Sequence, residues 1–194
     1  AVCRNGSLIG YAMITLAGDE VTAALARETL TDFVTAENLK RSLSRHAAPE
    51  PNASSGVEPG VPPGTARRAA QVVEYTDALG NRRIDRVQSL LESIRPVVRE
   101  MGQSIAEEIL KLNGTPPQAV ICVGGGALTP GIRDEIASAL GLELSRVVVR
   151  GREAIPFATG QEPVLSGPMA ITPIGIAYSA LLGLPKGTMT VYLN

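Results

Sequence analysis

Three consecutive glycines, Gly124, Gly125 and Gly126, follow a run of apolar residues in the second half of this 194-residue chain. The run, 119–123, holds five apolar residues, three of them β-branched, which predicts a strand buried on both faces. Because glycine has no side chain, a flat ligand can lie directly on such a backbone. A bare turn at the carboxyl end of a strand is a usual place for a nucleotide in an open α/β sheet. The alternative is a turn that serves only tight packing.

A helix is predicted over 132–140, shortly after these glycines. Thr129 is a suitable N-cap residue, and Pro130 suits the first helical position. Asp134 and Glu135 then fall early in the helix, where carboxylates interact favourably with the helix dipole. Gly141 is expected to end the helix, because glycine readily adopts the left-handed conformation found there.

A second cluster of polar residues lies on a helix predicted at 35–45. Four of its side chains stand at positions i, i+3, i+4 and i+7 and so share one face: Glu37, Lys40, Arg41 and Ser44. Apolar residues mark the other face, namely Ala36, Leu39 and Leu43. In the functional interpretation, these side chains provide hydrogen-bond donors and acceptors around a polar heterocycle and its ribose. The alternative is a solvated polar face with an internal Glu–Lys or Glu–Arg pair.

The composition excludes several classes of protein. The net charge is −1 and the arginines are scattered, which argues against nucleic acid as a main partner. No apolar run approaches the roughly 18–20 residues that span a bilayer, and no signal peptide is visible. Cys3 and Cys122 lie far apart, so we expect no disulfide and a cytoplasmic location. The single histidine, His46, argues against a metal site or a histidine-based triad.

The remaining elements alternate between strands and helices, which predicts an α/β fold. Asn5-Gly6 indicates a hairpin. The apolar stripe over 84–112 indicates a helix with a break or kink at Pro96, where a fresh helix is expected to start. A Pro-, Gly- and Ser-rich stretch at 47–65 is expected to be a flexible loop. Further predicted elements are a strand over 8–16, a helix capped by Asp19, a strand over 69–76, a turn at 79–82 leading into the long helix, a strand over 147–149, a loop over 151–167 and a final helix over 168–182.

Four segments of the chain together resemble parts of a known superfamily. Residues 37–44 fit the pattern Glu-x-x-Lys-Arg-x-Leu-Ser, which resembles the adenosine-contacting helix of DnaK-type chaperones. Residues 123–130 resemble the adenosine motif of the actin-like ATPases, in a version most similar to the FtsA-type cell-division proteins and their PilM-like and EutJ-like relatives. Residues 16–22 and 170–177 are similar to a strand-connecting turn and to the closing helix of the same lobe.

The resemblance implies a ribonuclease H-like core, formed by 1–34 and 113–194, with a smaller α+β subdomain inserted at 35–112. In that family the phosphate loops and the catalytic carboxylate lie upstream, so this chain corresponds to the second lobe alone. The resemblance therefore implies no catalytic residue here, and ATP or ADP with Mg²⁺ bound only in the intact protein. The main implied partner is the first lobe of the same chain, with room for further protein partners or self-assembly.

The same resemblance implies roles for individual residues. The polar row would contact the base and ribose, and the three glycines would form the floor. Gly18 would lie near the phosphates, and the row and the floor would face each other across one cleft. Leu128 stands where the chaperones place an arginine that stacks on the base. The resemblance therefore implies that the apolar Leu128 side chain covers the base instead. The tail at 187–194 resembles a strand entry rather than a membrane helix, so membrane attachment is not implied.

Other classes of function compete with nucleotide binding by an actin-like lobe. The main alternative is a scaffold that keeps the fold, has lost the nucleotide and acts through protein contacts, for example at 47–76. A Rossmann-type oxidoreductase is disfavoured because Thr129 occupies the position of the third glycine in its fingerprint. A Walker P-loop is excluded, since the chain has no Gly-Lys-Ser/Thr sequence.

Overall fold

Short strands alternate with helices along the chain, as expected for a mixed α/β protein. The structure, a computed structural model, describes residues 1–47, 71–151 and 167–181, so most of the predicted loops at 47–65 and 151–167 and the tail at 187–194 lie outside these ranges. In order, the elements are β1 (Val2–Arg4), β2 (Ser7–Gly10), α1 (Gly18–Thr29), α2 (Phe33–Ala47), β3 (Val72–Thr76), β4 (Arg82–Arg86), α3 (Val87–Asn113), β5 (Val120–Cys122), α4 (Ile132–Leu140), β6 (Val147–Val149) and α5 (Ile171–Leu181).

The chain divides into two compact units, and each is described by itself. Unit 1 consists of Ala1–Gly18 and Arg99–Asn194, and unit 2 consists of Asp19–Val98. The general α/β class is confirmed by the mixture of helices and small sheets. The actin-like arrangement and the predicted subdomain boundaries at 34/35 and 112/113 stay predictions.

Unit 1 begins with the predicted hairpin. Asn5 and Gly6 have φ angles of 51° and 76°, the positive values that a two-residue turn between antiparallel strands requires. The second strand ends at Gly10 instead of continuing to residue 16. A Cβ at Gly10 would lie 2.8 Å from Leu112 Cδ2, so glycine allows the strand to approach the end of α3. Arg4 Nη2 donates to the Asn113 carbonyl at 3.0 Å, which places a positive charge at the C-terminus of that helix.

Unit 1 also contains the parallel strand pair β5–β6, which the glycine turn follows. Val120 pairs with Val147, and Cys122 pairs with Val149. Cys122 and Val147 are buried, but Ile121 is 65% exposed. Because successive side chains of a strand point to opposite faces, the described chain covers only one face of this sheet. The prediction that both faces are covered is therefore wrong.

Unit 2 combines the hairpin β3–β4 with α1, α2 and the first half of α3. Its buried apolar side chains are Val21, Leu25, Ala36, Leu39, Leu43, Val73, Val87, Leu90, Ile94 and Val98. Helix α1 begins at Gly18, so Asp19 lies in its first turn instead of capping it. Helix α2 follows Asp32, whose carboxylate accepts the Thr35 backbone N–H at 2.9 Å and so caps the helix.

The sequence predicts that the turn at 79–82 leads directly into the long helix. In the structure, strand β4 lies between the turn and the helix. Asp77 organises the turn, since its carboxylate accepts the backbone N–H groups of Leu79 and Asn81, each at 2.9 Å. Arg83 Nε donates to the same carboxylate at 3.0 Å. These hydrogen bonds reverse the chain and bring β4 back alongside β3.

Helix α3 runs without interruption for 27 residues, so the predicted break with a fresh helix start at Pro96 is wrong. The other predicted outcome, a kink at Pro96, stays a prediction. Proline in a helix interior removes one backbone hydrogen bond and costs about 3 kcal/mol or more. Ile94 and Val98, on either side of it, are each only 1% exposed. Burial of such a side chain contributes about 1.5–3 kcal/mol, so the flanking pair offsets the loss.

Candidate functional site

The glycine turn after β5 has a backbone geometry that depends on glycine at its first position. Gly124 has φ 83° and ψ 179°, a region that is essentially restricted to glycine. A single 3₁₀ turn follows over Gly125–Leu128. The N–H of Gly124 donates to the Pro168 carbonyl at 3.0 Å, which fixes the direction of the chain as it leaves the strand.

The next two glycines have neither of the usual reasons to be glycine. Gly125 and Gly126 are absent from the positive-φ residues, and a Cβ built on either one would meet no atom within 4 Å. Gly125 is also exposed. Neither backbone conformation nor packing within the described chain therefore requires glycine at these two positions. Their effect is to leave open backbone at the carboxyl end of a parallel strand.

The following helix has the predicted bounds, 132–140, but its N-cap differs from the prediction. Helix α4 begins at Ile132, and its N-cap is Gly131, which has φ 83°. Thr129 ends the 3₁₀ turn, and its carbonyl accepts the Ile132 N–H at 3.2 Å. The prediction that Thr129 caps the helix and that Pro130 opens it is wrong, because Thr129 already ends the preceding 3₁₀ turn. Asp134 and Glu135 do lie in the first turn and Gly141 does end the helix, so those predictions are confirmed.

A second turn of the same kind lies beside the first, and sequence reasoning missed its contribution. Gly167 has φ 90° and ψ 178°, and a 3₁₀ turn over Pro168–Ala170 leads from it into α5. The available signal was the Gly-Pro dipeptide before an apolar helix. Leu128 and Met169, on the two neighbouring turns, are 41% and 63% exposed. Leu128 is thus placed as an apolar cover requires, and its role stays a prediction.

The polar row on α2 is assembled as the spacing predicts. Ala36, Leu39 and Leu43 are buried on the opposite face of the helix. Glu37 Oε2 accepts hydrogen bonds from Thr22 Oγ1 at 2.7 Å and from Lys40 Nζ at 2.6 Å. Glu37 Oε1 accepts from Arg41 Nε at 3.0 Å. The Ser44 hydroxyl donates to the Lys40 carbonyl at 3.0 Å.

The charges in this row stabilise one another. Thr22 is fully buried and Lys40 is largely buried, while the Arg41 side chain is 66% exposed. Partial burial raises the pKa of Glu37, but the hydrogen bonds from Lys40 and Thr22 and the attraction to Lys40 outweigh it, so the pKa lies below its ordinary value. The internal Glu–Lys and Glu–Arg pairs of the alternative interpretation are therefore present. They hold Lys40 and Arg41 in fixed positions on one face of α2.

The row and the turn belong to different units, so the expectation that they face each other across one cleft stays a prediction. Gly18 is the first residue of α1, and its proposed place near the phosphates also stays a prediction.

The described residues hold no group of three or more His, Cys, Asp or Glu side chains that could bind a metal ion. Both cysteines are free, and burial raises the pKa of the Cys122 thiol, which packs as a small apolar side chain.

The comparisons with known proteins add no relative. No model of a known protein family matches the chain, and no curated protein gives a significant match. Among helices in the three described ranges, none has the length and apolar character needed to cross a membrane.

Proposed function

We propose that this chain is the adenine-nucleotide-binding lobe of a bacterial actin-like ATPase of the FtsA or DnaK type. The observation that carries the proposal is the pair Gly125 and Gly126, which leave backbone open where the described residues give no structural reason for glycine. A nucleotide is a ligand that needs this space, because its flat base or its sugar must approach the main chain closely.

In the proposal, the α2 row recognises the polar edge of the nucleoside. Arg41 presents an exposed guanidinium whose position is set by its ion pair with Glu37. The aliphatic stems of Arg41 and Lys40 can pack on an adenine ring, while the Glu37 carboxylate can accept ribose hydroxyl groups. Recognition at this row would exchange internal ion pairs for ligand contacts, so it favours a ligand with both donors and acceptors.

The proposed lobe binds nucleotide without hydrolysing it. Phosphoryl transfer depends on positioned metal ions and phosphate-binding groups, and the described residues provide no metal site. We therefore expect no ATP turnover by this chain, and in the intact protein the first lobe supplies the groups that act on the phosphates. Turnover by the repurified chain at the rate of intact ATPases would contradict this assignment.

The test is a titration of the isotope-labelled chain with ADP, followed residue by residue by NMR. The expected result is a set of shifts at Gly125 and Gly126 and along Glu37–Ser44, with much smaller shifts when GDP replaces ADP. Gly125→Leu should abolish the response, because the new side chain fills the open space above the turn. Ser138→Leu, which adds the same side chain to an exposed position of α4, is the matched control and should bind as the unaltered chain does.

A titration that shows no shifts with either nucleotide at millimolar concentration would contradict the proposal. The chain would then fit the nucleotide-free scaffold better, a reading favoured by the completely internal pairing of Glu37. Equal responses to ADP and GDP would likewise contradict adenine recognition.

A further inference from the structure

Strand β3 presents one edge that carries no strand in the described part of the chain. It pairs with β4 alone in a two-stranded sheet. The hydrogen bonds at the two ends of this ladder identify which residues bond across it. The Val87 N–H donates to the Gln71 carbonyl at 3.0 Å, and the Asp77 N–H donates to the Asn81 carbonyl at 2.9 Å.

These bonds determine the direction of every backbone group in β3. In an antiparallel ladder, alternate residues form the backbone hydrogen bonds to the partner strand. The N–H and C=O groups of the odd-numbered residues between 71 and 77 therefore point towards β4. The even-numbered residues, Val72, Glu74 and Thr76, therefore direct their N–H and C=O groups to the other edge. Residues two apart on a strand are about 6.6–6.8 Å apart, so these groups form a regular row.

A groove of about 460 Å³ follows this edge. It is lined by four consecutive residues of β3, Val72–Tyr75, whose side chains alternate between the two faces of the sheet. A groove that touches all four must run along the edge of the strand. Its opposite wall is the side of α2 that carries Thr35, Asn38, Leu39 and Ser42. This side of α2 is distinct from the row formed by Glu37, Lys40, Arg41 and Ser44.

We propose that this groove binds an extended peptide segment of a partner protein, which adds a third strand to the free edge of β3 beside α2. Strand addition suits the site because a peptide backbone offers donors and acceptors at the same spacing as the row on β3. The lining residues of the strand span four positions, so about four peptide residues fit along it. This inference is independent of nucleotide binding.

The lining residues define the chemistry of the peptide. Side chains that point inwards meet Leu39, which is 5% exposed, and Val73, which is 6% exposed, so small apolar or β-branched residues fit there. The hydroxyl and amide groups of Thr35, Ser42 and Asn38 lie along the same wall and favour uncharged polar neighbours. An acidic residue is disfavoured beside Glu74, which is ionised and paired with Arg82.

The first measurement is amide hydrogen exchange of the full chain by NMR. In the free chain, the amides of Val72, Glu74 and Thr76 should exchange quickly, while those of Val73 and Tyr75 should be protected by the ladder. Slow exchange at the even-numbered amides without added peptide would overturn the proposal, because the edge would already be occupied by the chain itself.

The second measurement uses a peptide selected from a phage-displayed random heptapeptide library. Glu74→Pro removes the outward N–H without breaking a bond to β4, since proline is tolerated at a free edge. It should weaken binding about tenfold or more, the usual effect of one lost backbone hydrogen bond together with the obstructing ring. Glu74→Ala is the matched control: it removes the same side chain and the same ion pair but keeps the N–H, and should bind as before.

Ser42→Tyr gives an independent check, because the larger side chain fills the groove from the α2 wall. It should abolish binding while leaving the thermal unfolding midpoint nearly unchanged. The proposal is overturned if Glu74→Pro and Glu74→Ala bind the peptide equally, if Ser42→Tyr binds normally, or if the selected peptides leave exchange at the even-numbered amides unaltered.

Discussion

The glycine turn after β5 and the polar row on α2 offer a ligand two different kinds of surface. At Gly125 and Gly126 no atom of the described residues lies within 4 Å of an added Cβ, so a ligand there would not compete with their side chains. At the row, Glu37 already accepts hydrogen bonds from Thr22, Lys40 and Arg41, so a ligand must compete with contacts inside the protein. Under the proposed function, the turn would therefore select a ligand by its shape, whereas the row would select it by exchanging hydrogen-bond partners.

The two elements also depend on the fold in different ways. The turn keeps its form through backbone conformations, through the hydrogen bonds from the Ala127 and Thr129 N–H groups to the Gly124 and Gly126 carbonyls, and through the hydrogen bond to the Pro168 carbonyl. The row keeps its form through burial of the opposite side of α2. Substitutions in the core should therefore damage the row, whereas side chains added at Gly125 or Gly126 should leave the turn folded and only fill the space beside its backbone.

Leu43→Ala tests the dependence of the row on packing and should give the largest effect. Leu43 is fully buried on the apolar face of α2. Truncation of a buried leucine costs about 2–5 kcal/mol of unfolding free energy, because it loses apolar burial and leaves a cavity. Urea unfolding measures this loss. Asn38→Ala, an exposed change on the same helix, is the control, and equal losses in the two variants would show that α2 does not rely on this face.

Gly102→Ala tests the difference between a glycine required by packing and one that is not. A Cβ at Gly102 would lie 2.8 Å from Glu135 Cβ and 3.0 Å from the carbonyl carbon of Glu135. Overpacking of α3 against α4 should cost about 1–3 kcal/mol. Gly125→Ala, in open space, should instead gain about 0.4–1 kcal/mol, because alanine restricts the unfolded chain. A destabilised Gly125→Ala chain would show that the turn has a packing role after all.

Thr22→Val removes the hydroxyl that joins α1 to the row and keeps nearly the same volume. Thr22 is fully buried, and its Oγ1 donates to Glu37 and accepts from Lys40 at 2.7 Å. The expected loss is about 1 kcal/mol, the net contribution of a typical hydrogen bond. Thermal unfolding provides the measurement. Thr22→Ser keeps the hydroxyl, and a loss in that variant as large as in Thr22→Val would assign the effect to the methyl group instead.

The pH dependence of the Glu37 ion pairs should be the smallest effect. The folded state holds the pKa of Glu37 below its ordinary value of 4.5, so the stabilisation is fully present above pH 4.5 and is lost as the pH falls through the folded value. The unaltered chain should therefore be more stable than Glu37→Gln at neutral pH, and the difference should shrink below pH 4.5. Urea midpoints measured across this range are the readout. A difference that stays constant down to pH 2 would contradict the role of the ionised carboxylate.

Local signals in the sequence were sufficient where a short segment decides its own conformation. Asn5-Gly6 specifies a hairpin because both residues tolerate positive φ. The face of α2 that carries Leu43 follows from helical periodicity alone. Gly141 ends α4 because glycine accepts the left-handed conformation at a helix end.

The same signals failed where distant contacts decide the outcome. Pro96 remains inside α3 because its neighbours on the helix are buried against other elements. Strand β4 is rich in charge and has no strand pattern of its own, and the bonds to Asp77 bring it to β3. Gly131, rather than Thr129, caps α4 because Thr129 already ends the preceding 3₁₀ turn. The groove on β3 could not be predicted from the sequence either. Whether a strand edge is left without a partner depends on how the strands pair in the sheet.

One hydrogen bond joins the two glycine-led turns of unit 1, at Gly124 and Pro168. The final described helix, α5, begins directly after the second of these turns, so it acts as a tether on the first. The direction in which the chain leaves β5 therefore depends on where α5 begins, although that helix comes much later in the sequence.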